Sequence, residues 1–167
     1  MKSQLQMLKA VFQAIIVVSL LAFSACKKSK PDGGEDKVLA ANLLKSQRQF
    51  TELLSKRESG NGQTFRIENI TRTGSTLNVE VKGGCVKEKF KAVWDGVALL
   101  SYPAQIRLVL VNEAGENCNP DQRITIALDL TKIIGDDPSS YIVHVANGSV
   151  KQDTSIDNNG VFNSASH

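Results

Sequence analysis

Few residues in this chain have the types and spacing that catalysis requires. A serine or cysteine nucleophile works with a histidine base and a carboxylate, and the sequence contains no G-x-S-x-G motif. His144 lies between Val143 and Val145 in an apolar run, where a hydrogen-bonded strand histidine is the ordinary role. We therefore expect no catalytic residue and no enzymatic activity.

Two other groups of polar residues could form a catalytic or metal site, or could be ordinary solvent-exposed surface. Glu113, Glu116 and Asp121 lie close together, and a carboxylate pair can hydrolyse glycosides, but acids in a polar connection are usually solvated. The segment 155–160 resembles the start of a calcium loop, yet its twelfth position is Ser166, where a bidentate acid is expected. Because the chain has 2 histidines, three or four zinc ligands are hard to assemble. We expect no metal and no cofactor.

The N-terminal segment has the profile of a bacterial export signal. Lys2 and Lys9 flank its start, and the apolar run from Ala10 to Ala25 ends in small residues. A membrane-spanning helix needs about 20 apolar residues, and this run is shorter. Ser24-Ala25-Cys26 resembles the lipobox of bacterial lipoproteins, so we expect residues 1–25 to be removed as a signal peptide.

The lipobox resemblance implies lipid attachment at Cys26. The sulfur would carry a diacylglycerol thioether, usually with a further acyl group such as palmitate on the new amino terminus, which anchors a protein to a membrane without spanning it. Ordinary secretion is the alternative, with Ala22-Phe23-Ser24 as the cleavage motif and Cys26 as a free thiol. Because no Asp follows Cys26, we expect a cell-envelope protein in the outer membrane, facing the periplasm.

Cys85 and Cys118 remain as an even pair if Cys26 is lipidated. In an exported domain such a pair predicts a disulfide, which here would close a loop of about 34 residues and contribute roughly 3–4 kcal/mol. A metal site, a redox pair and two unpaired thiols are the alternatives, although the sequence has no C-x-x-C motif.

Composition excludes one class of partner and predicts a tether. Two of the 20 basic residues, Lys2 and Lys9, lie in the signal peptide, so the rest of the chain is nearly neutral against its 17 acids. A nearly neutral chain lacks the excess of positive charge that nucleic-acid binding requires, so we expect no nucleic-acid partner. Residues 26–37 contain Pro31 and two glycines but no apolar residue after the cysteine, which predicts a flexible tether.

The segment 38–59 is rich in helix-forming residues with leucines at spacings of three, four and seven. This pattern predicts an amphipathic α-helix, with Asp36 as its N-cap and Gly60-Asn61-Gly62 as its end. The apolar face either packs on the protein's own domain or binds a partner. Packing on its own domain avoids an exposed apolar patch.

Residues 63–152 show the two-residue alternation of β-strands, separated by turn signals. The strands are expected around Phe65–Ile70, Leu77–Val81, Phe90–Trp94, Ile106–Val111, Ile124–Leu130 and Tyr141–Val145, with one more near Val150. A turn at Asp95-Gly96 should end the third, and a single helical turn should follow Thr131. Six or seven strands without a βαβ pattern predict a mainly β fold, an antiparallel β-sandwich of immunoglobulin-like architecture. The polar tail 153–167 is expected to fray.

One set of residues resembles a known group of proteins. The set comprises Gly83-Gly84-Cys85, Phe90, Trp94-Asp95-Gly96, Ser101-Tyr102-Pro103, Leu108, Cys118 and Asp129-Leu130-Thr131. Over about residues 64–147 it resembles small lipoproteins of Bacteroidota and is distantly similar to NigD-like proteins. A histidine that such proteins often place after G-G-C is replaced here by Lys87 or Lys89. The resemblance implies an envelope lipoprotein with a β-sandwich and no established activity.

These observations together predict a non-catalytic cell-envelope lipoprotein. We expect it to contact the membrane through Cys26 and to bind a protein or glycan partner. The alternative is an inhibitor or immunity-type lipoprotein that acts on a cell-wall hydrolase or a protease.

Overall fold

The computed structural model describes residues 37–57, 63–113, 115, 118–135, 140–157 and 160–162. These residues belong to the unit Gly33–His167. The signal peptide, Cys26 and the tether up to residue 36 lie outside the described residues, so what the sequence predicts for them stays a prediction.

The described chain is mainly β, as predicted, and forms two sheets. In chain order its elements are β1 (Lys37–Ala40), β2 (Leu43–Lys45), α1 (Gln47–Lys56), β3 (Phe65–Thr73), β4 (Thr76–Gly83), a 3-10 turn (Lys87–Lys89), β5 (Phe90–Leu99), β6 (Ala104–Asn112), β7 (Arg123–Asp129), α2 (Thr131–Ile134), β8 (Tyr141–Asn147), β9 (Asp153–Ile156) and β10 (Val161–Phe162). The larger sheet has seven strands in the order β1-β2-β5-β6-β8-β9-β10, and the smaller has three in the order β3-β4-β7. The described residues thus hold ten strands rather than six or seven.

The larger sheet is mixed rather than antiparallel. β2 pairs with β5 in parallel, and β6 pairs with β8 in parallel. The chain leaves β6, crosses to the smaller sheet as β7 and returns as β8 in the direction of β6. Because this crossover replaces a hairpin, the prediction of an antiparallel sandwich is wrong for the larger sheet.

The smaller sheet follows the alternation in its sequence. β3 and β4 form the predicted antiparallel hairpin, and β4 pairs antiparallel with β7. In β4 the buried side chains of Leu77, Val79 and Val81 alternate with more exposed ones. A strand with this pattern buries one face against a core and leaves the other to solvent.

One hydrophobic core contains side chains from both sheets. Its large, fully buried members include Phe65, Leu77 and Ile126 of the smaller sheet and Phe90, Ile106 and Leu108 of the larger sheet. The rings of Phe65 and Phe90 meet edge to face, with their centroids 5.1 Å apart. Burial of these side chains between the sheets is the main driving force for the fold.

The helix predicted over 38–59 is shorter, because α1 covers only Gln47–Lys56. The residues before it form β1 and β2. Leu43, expected on the helix face, is 1% exposed in the core, and its strand pairs with β5. Pairing with β5 outweighs helix propensity since it satisfies backbone groups and buries Leu43 at once.

α1 begins at Ser46, whose side-chain oxygen accepts a hydrogen bond from the Gln49 N–H at 3.2 Å. The predicted cap and the predicted helix end at 60–62 lie outside the described residues. Phe50 of α1 is buried against Val93 and Val109 of the larger sheet. The expectation that the helix packs on its own domain is therefore confirmed.

β5 extends beyond the turn predicted at Asp95-Gly96. The strand continues to Leu99 with a shift in its register against β6. Asp95 is buried and accepts a hydrogen bond from the Val97 N–H at 2.9 Å, which holds the extra residues as a β-bulge. The Asp-Gly pair therefore marks a bulge within the strand.

The prediction that residues 153–167 fray is wrong for part of the segment. β9 pairs antiparallel with β8, and β10 pairs with β9. Thr154, Ser155 and Ile156 are buried. The short strand expected near Val150 does not form. The chain instead forms β9 within the segment expected to fray, because pairing with β8 satisfies the backbone of this polar sequence.

Gly83-Gly84-Cys85 turns the chain out of β4. The two glycines have φ of 90° and 86°, a region that side chains disfavour, and a Cβ on Gly84 would lie 2.8 Å from Phe90 Cζ. The Cys85 N–H donates to Asn112 Oδ1 at 2.8 Å. Cys85 and Cys118 form the predicted disulfide.

Side chains after β8 cover the free edge of β3. Asn147 Nδ2 donates to the Phe65 carbonyl at 2.8 Å, and Ser149 Oγ accepts from the Phe65 N–H at 3.2 Å. Gln152 accepts from the Ile67 N–H at 2.9 Å and donates to the Ile67 carbonyl at 2.7 Å. These bonds satisfy the edge strand and tie the smaller sheet to the larger one.

Replacing Phe50 by alanine should test the packing of α1. We expect Phe50→Ala to lower the free energy of unfolding by about 3–5 kcal/mol, because it leaves a cavity over Val93 and Val109. Urea denaturation of the purified protein measures this. Glu52→Ala, on the exposed face of the same helix, is the control and should change it by less than about 0.5 kcal/mol. Equal effects would show that α1 does not pack as described.

Candidate functional site

The outward face of the larger sheet carries a row of polar side chains beside α1. Arg107 of β6 pairs with His144 of β8, and His144 pairs with Ser155 of β9. Asp95 of β5 reaches Arg107 from the other side. We call Asp95, Arg107, His144 and Ser155 the polar row.

Both ring nitrogens of His144 have hydrogen-bond partners. Nδ1 lies 2.7 Å from Ser155 Oγ, and Nε2 lies 3.0 Å from Gln105 Oε1. Because an amide oxygen only accepts, Nε2 carries the proton of the neutral ring and Nδ1 accepts from the Ser155 hydroxyl. The prediction of a hydrogen-bonded strand histidine is confirmed.

The environment of His144 favours its neutral form. Burial lowers the pKa of His144 below its usual value, the Arg107 guanidinium lowers that pKa further, and Asp153 opposes them. His144 is therefore uncharged at neutral pH, consistent with the hydrogen bonds that it makes.

The Ser155–His144 contact has the length of a nucleophile–base pair, but its surroundings differ. Ser155 is fully buried, and the second nitrogen of His144 faces the amide of Gln105 rather than a carboxylate. The buried hydroxyl lies out of reach of a substrate. The pair is arranged as a structural link between β8 and β9.

Arg107 connects the polar row to both the bulge and the helix. Its Nη2 donates to Asp95 Oδ2 at 2.8 Å, and the Asp95 side chain is only 5% exposed. The guanidinium carbon lies 5.6 Å from the centre of the Phe50 ring, a cation–π geometry. After the helix, Arg57 contacts both carboxylate oxygens of Asp153, at 2.5 and 3.2 Å. These contacts fix α1 at two points on the sheet.

The connection between β5 and β6, residues 100–103, exposes large apolar side chains, and we call it the hairpin tip. Leu100 is 96% exposed and Tyr102 is 98% exposed. Ser101 Oγ donates to the Pro103 carbonyl at 2.6 Å and accepts from Gln105 Nε2 at 3.2 Å. Since Gln105 also holds His144, a continuous set of hydrogen bonds joins the hairpin tip to the polar row.

The opposite end of the domain, beside Gly83 and the disulfide, contains an open groove. The groove has a volume of about 620 Å³ and runs along the covered edge of β3. Its lining includes the charged residues Arg66, Glu68 and Lys82, together with Gln152. We call it the end groove. Its volume falls in the range of ligand sites, and its charged lining suits a polar ligand.

Three cations lie side by side at the end groove. Arg66 of β3 is directly opposite Lys82 of β4, and Lys82 is directly opposite Arg123 of β7. Like charges in such cross-strand positions are destabilising. Arg123 contacts Glu68 at 3.1 Å, and Lys82 contacts Asp121 at 3.1 Å. Among the described residues, Arg66 has no carboxylate partner. We call Arg66, Lys82 and Arg123 the basic row.

The acids considered from the sequence do not converge on one site. Glu113 contacts Lys91 at 2.7 Å, and Asp121 contacts Lys82, so each makes its own surface ion pair. Glu116 lies outside the described residues. Acids paired in this way are part of an ordinary solvated surface.

The segment resembling a calcium loop does not begin as a loop. Ser155, its first residue, is buried in β9, and its later part from residue 163 lies outside the described residues. Within the described ranges no group of three histidine, cysteine or acidic side chains is placed to hold a metal ion. In the same ranges, no helix has both the length and the apolar character needed to cross a membrane.

Sequence reasoning did not identify the hairpin tip or the basic row. The tip has a visible signal, since Leu99-Leu100-Ser101-Tyr102 places apolar residues in a connection between two strands. The basic row has none, because Arg66, Lys82 and Arg123 become neighbours only through the register of three strands.

Comparison with known proteins identifies no relative. No protein-family model matches the chain, and no curated protein and no solved structure matches it significantly. The resemblance to lipoproteins of Bacteroidota therefore stays a prediction.

The pKa of His144 gives a prediction for stability against pH. Because the folded protein holds that pKa below 6.5, the unfolded chain binds the proton first as the pH falls. The contribution of neutral His144 is complete above about pH 6.5 and decreases as the pH falls towards the folded pKa. Urea denaturation between pH 8 and pH 5 should show this decrease, and His144→Gln should reduce it. His167→Gln is the control and should keep the wild-type pH dependence; equal slopes in wild type and His144→Gln would contradict the assignment.

Proposed function

We propose that the chain is a lipid-anchored protein of the cell envelope whose β domain binds a protein or glycan and catalyses no reaction. The observation that carries the binding proposal is the end groove, with the basic row beside it. The anchor proposal depends on the sequence around Cys26, and the proposed location is the outer membrane, facing the periplasm.

The disulfide supports the anchor proposal. Cys85 and Cys118 are bonded to each other, which leaves Cys26 as the third cysteine of the chain. Disulfides persist in oxidising compartments such as the periplasm, so the bond is consistent with export. The small residues before Cys26 are those expected at a lipobox.

The charges at the end groove support a polar and partly anionic partner. Within the basic row, Lys82 and Arg123 contact acids of the protein, so Arg66 is the member that an anionic ligand would contact first. Arg66 is exposed, and its guanidinium offers the paired donors that carboxylates and phosphates bind. A glycan with acidic groups and an acidic segment of a protein both have this chemistry.

We also propose that the domain is a β-sandwich. Two sheets that share one core support this description. Its larger sheet contains parallel pairs, whereas an immunoglobulin sandwich has two antiparallel sheets. The proposed similarity to immunoglobulin architecture is thus limited to the arrangement of two packed sheets.

Lipidation at Cys26 is tested by acyl labelling in cells. We expect the wild-type protein to incorporate labelled palmitate and Cys26→Ser not to, because the variant lacks the sulfur that carries the lipid. The control variant Cys85→Ser/Cys118→Ser keeps Cys26 and should still be labelled. Unchanged palmitate labelling of Cys26→Ser would refute the anchor.

Binding at the end groove is tested by photo-crosslinking in living cells. A photoreactive residue at Thr64, which lines the groove, should give a discrete adduct with a protein or a glycan. The same residue at Thr51, on the exposed face of α1, is the control and should not give that adduct. Arg66→Glu/Lys82→Glu should strongly reduce the adduct at position 64, because it reverses two charges of the basic row. The same adducts at both positions would contradict a site in the groove.

A further inference from the structure

We infer that the hairpin tip docks on the phospholipid bilayer, with Leu100 and Tyr102 entering its interface. The domain would then stand with the tip towards the membrane and the end groove facing away from it. This orientation rests on the proposed lipid anchor at Cys26.

The exposed side chains of the tip suit a bilayer interface. Leu100 and Tyr102 are 96% and 98% exposed, and Leu99 and Val97 beside them are 45% and 43% exposed. An apolar patch of this kind marks an interaction surface. Tyrosine has an apolar ring and a polar hydroxyl, which is why it is enriched where hydrocarbon meets head groups.

β1 enters the larger sheet from the side of the tip, and its first residue lies level with the middle of β6. Lys37 of β1 pairs with Lys45, Lys45 pairs with Trp94, and Trp94 pairs with Leu108. Leu108 is three residues along β6 from Gln105 at the base of the tip, a distance of about 10 Å. β1 runs from Lys37 away from the tip, so its first residue is the one closest to the tip.

The length of chain between the anchor and the domain limits the orientation. Cys26 is eleven residues before Lys37, and eleven residues span at most about 36–40 Å. An anchor within that length of chain holds the domain close to the bilayer, and the chain enters β1 from the side of the tip. The end groove lies at the other end, beside Gly83.

The tether sequence carries positive charge close to the proposed anchor. Lys27, Lys28 and Lys30 follow the proposed anchor, and lysines near a membrane surface are attracted to anionic lipids. Midway along the sheet, Lys45 Nζ lies 5.6 Å from the centre of the Trp94 ring. Lysines in the tether sequence, together with an exposed leucine and tyrosine on the domain, fit a bilayer with anionic head groups better than an apolar protein groove.

The tip is held in one conformation before it binds. Ser101 bonds to the Pro103 carbonyl and to Gln105, and Gln105 is held by His144. A loop fixed in this way loses little conformational entropy on docking. The polar row thereby contributes to membrane docking through Gln105.

Depth-dependent fluorescence quenching tests the inference. The acylated full-length protein, carrying Tyr102→Trp, is reconstituted into phosphatidylethanolamine/phosphatidylglycerol vesicles that contain brominated lipids. The control variant is Lys87→Trp, which lies at the disulfide end. The signal of Trp94, the single native tryptophan, is subtracted from both variants. We expect at least about twofold stronger quenching for Tyr102→Trp than for Lys87→Trp. Equal quenching at the two positions would overturn the inference.

A second arm separates this inference from the anchor proposal. Cys26→Ser prepared as the mature chain, without residues 1–25, has no lipid site and no signal peptide, so its binding to the same vesicles depends on the protein surface. Leu100→Ser/Tyr102→Ser in that background should weaken binding by about tenfold or more, with an unchanged urea midpoint. Loss of palmitate from the wild-type protein refutes the anchor alone. Vesicle binding that is unaffected by Leu100→Ser/Tyr102→Ser, together with a protein adduct from a photoreactive residue at position 100, would make the tip a protein-binding surface and overturn docking on lipid.

Discussion

The covered edge of β3 is the constraint on which the arrangement of the two sheets depends. β3 pairs with β4 on one side only, and the backbone groups of Phe65 and Ile67 on its other side face the larger sheet. The Gln152 amide bonds both backbone groups of Ile67, while Asn147 donates to the Phe65 carbonyl and Ser149 accepts from the Phe65 N–H. An amide presents a donor and an acceptor at the spacing of a neighbouring peptide, so it replaces a strand without adding one. Removal of these partners would leave buried polar groups unpaired, which costs more than the bonds contribute.

The domain has two chemically different ends. The turn Gly83-Gly84-Cys85, the disulfide and the end groove lie at one end, where strand register places the basic row. The hairpin tip lies at the other. A protein with one apolar end and one charged end suits a position between a membrane and a polar partner, which is the arrangement that we propose.

The polar row connects parts of the larger sheet and α1 through hydrogen bonds and ion pairs. Asp95 holds the bulge in β5, Arg107 holds Asp95 and the ring of Phe50, and His144 holds Gln105 below the tip. Each charged or titratable group has a partner whose role is structural. The lowered pKa of His144 follows from this packing, since burial and Arg107 both disfavour the imidazolium.

The sequence alone determined the features that depend on local residue patterns or on the number of cysteines. The alternation in β4, the hairpin with β3 and the turn at α2 follow from neighbouring residues, and the disulfide follows from the parity of three cysteines once Cys26 is assigned. Only the tertiary structure decided where β1, β2 and β9 lie. The sequence of β1 and β2 is equally compatible with a helix, and that of β9 with an unstructured tail. They become strands because β5 and β8 supply backbone hydrogen-bond partners. The same holds for the basic row and the hydrogen bonds of His144, which join residues far apart in the chain. Strand register brings such residues together, and register is set by the shared core rather than by any one segment.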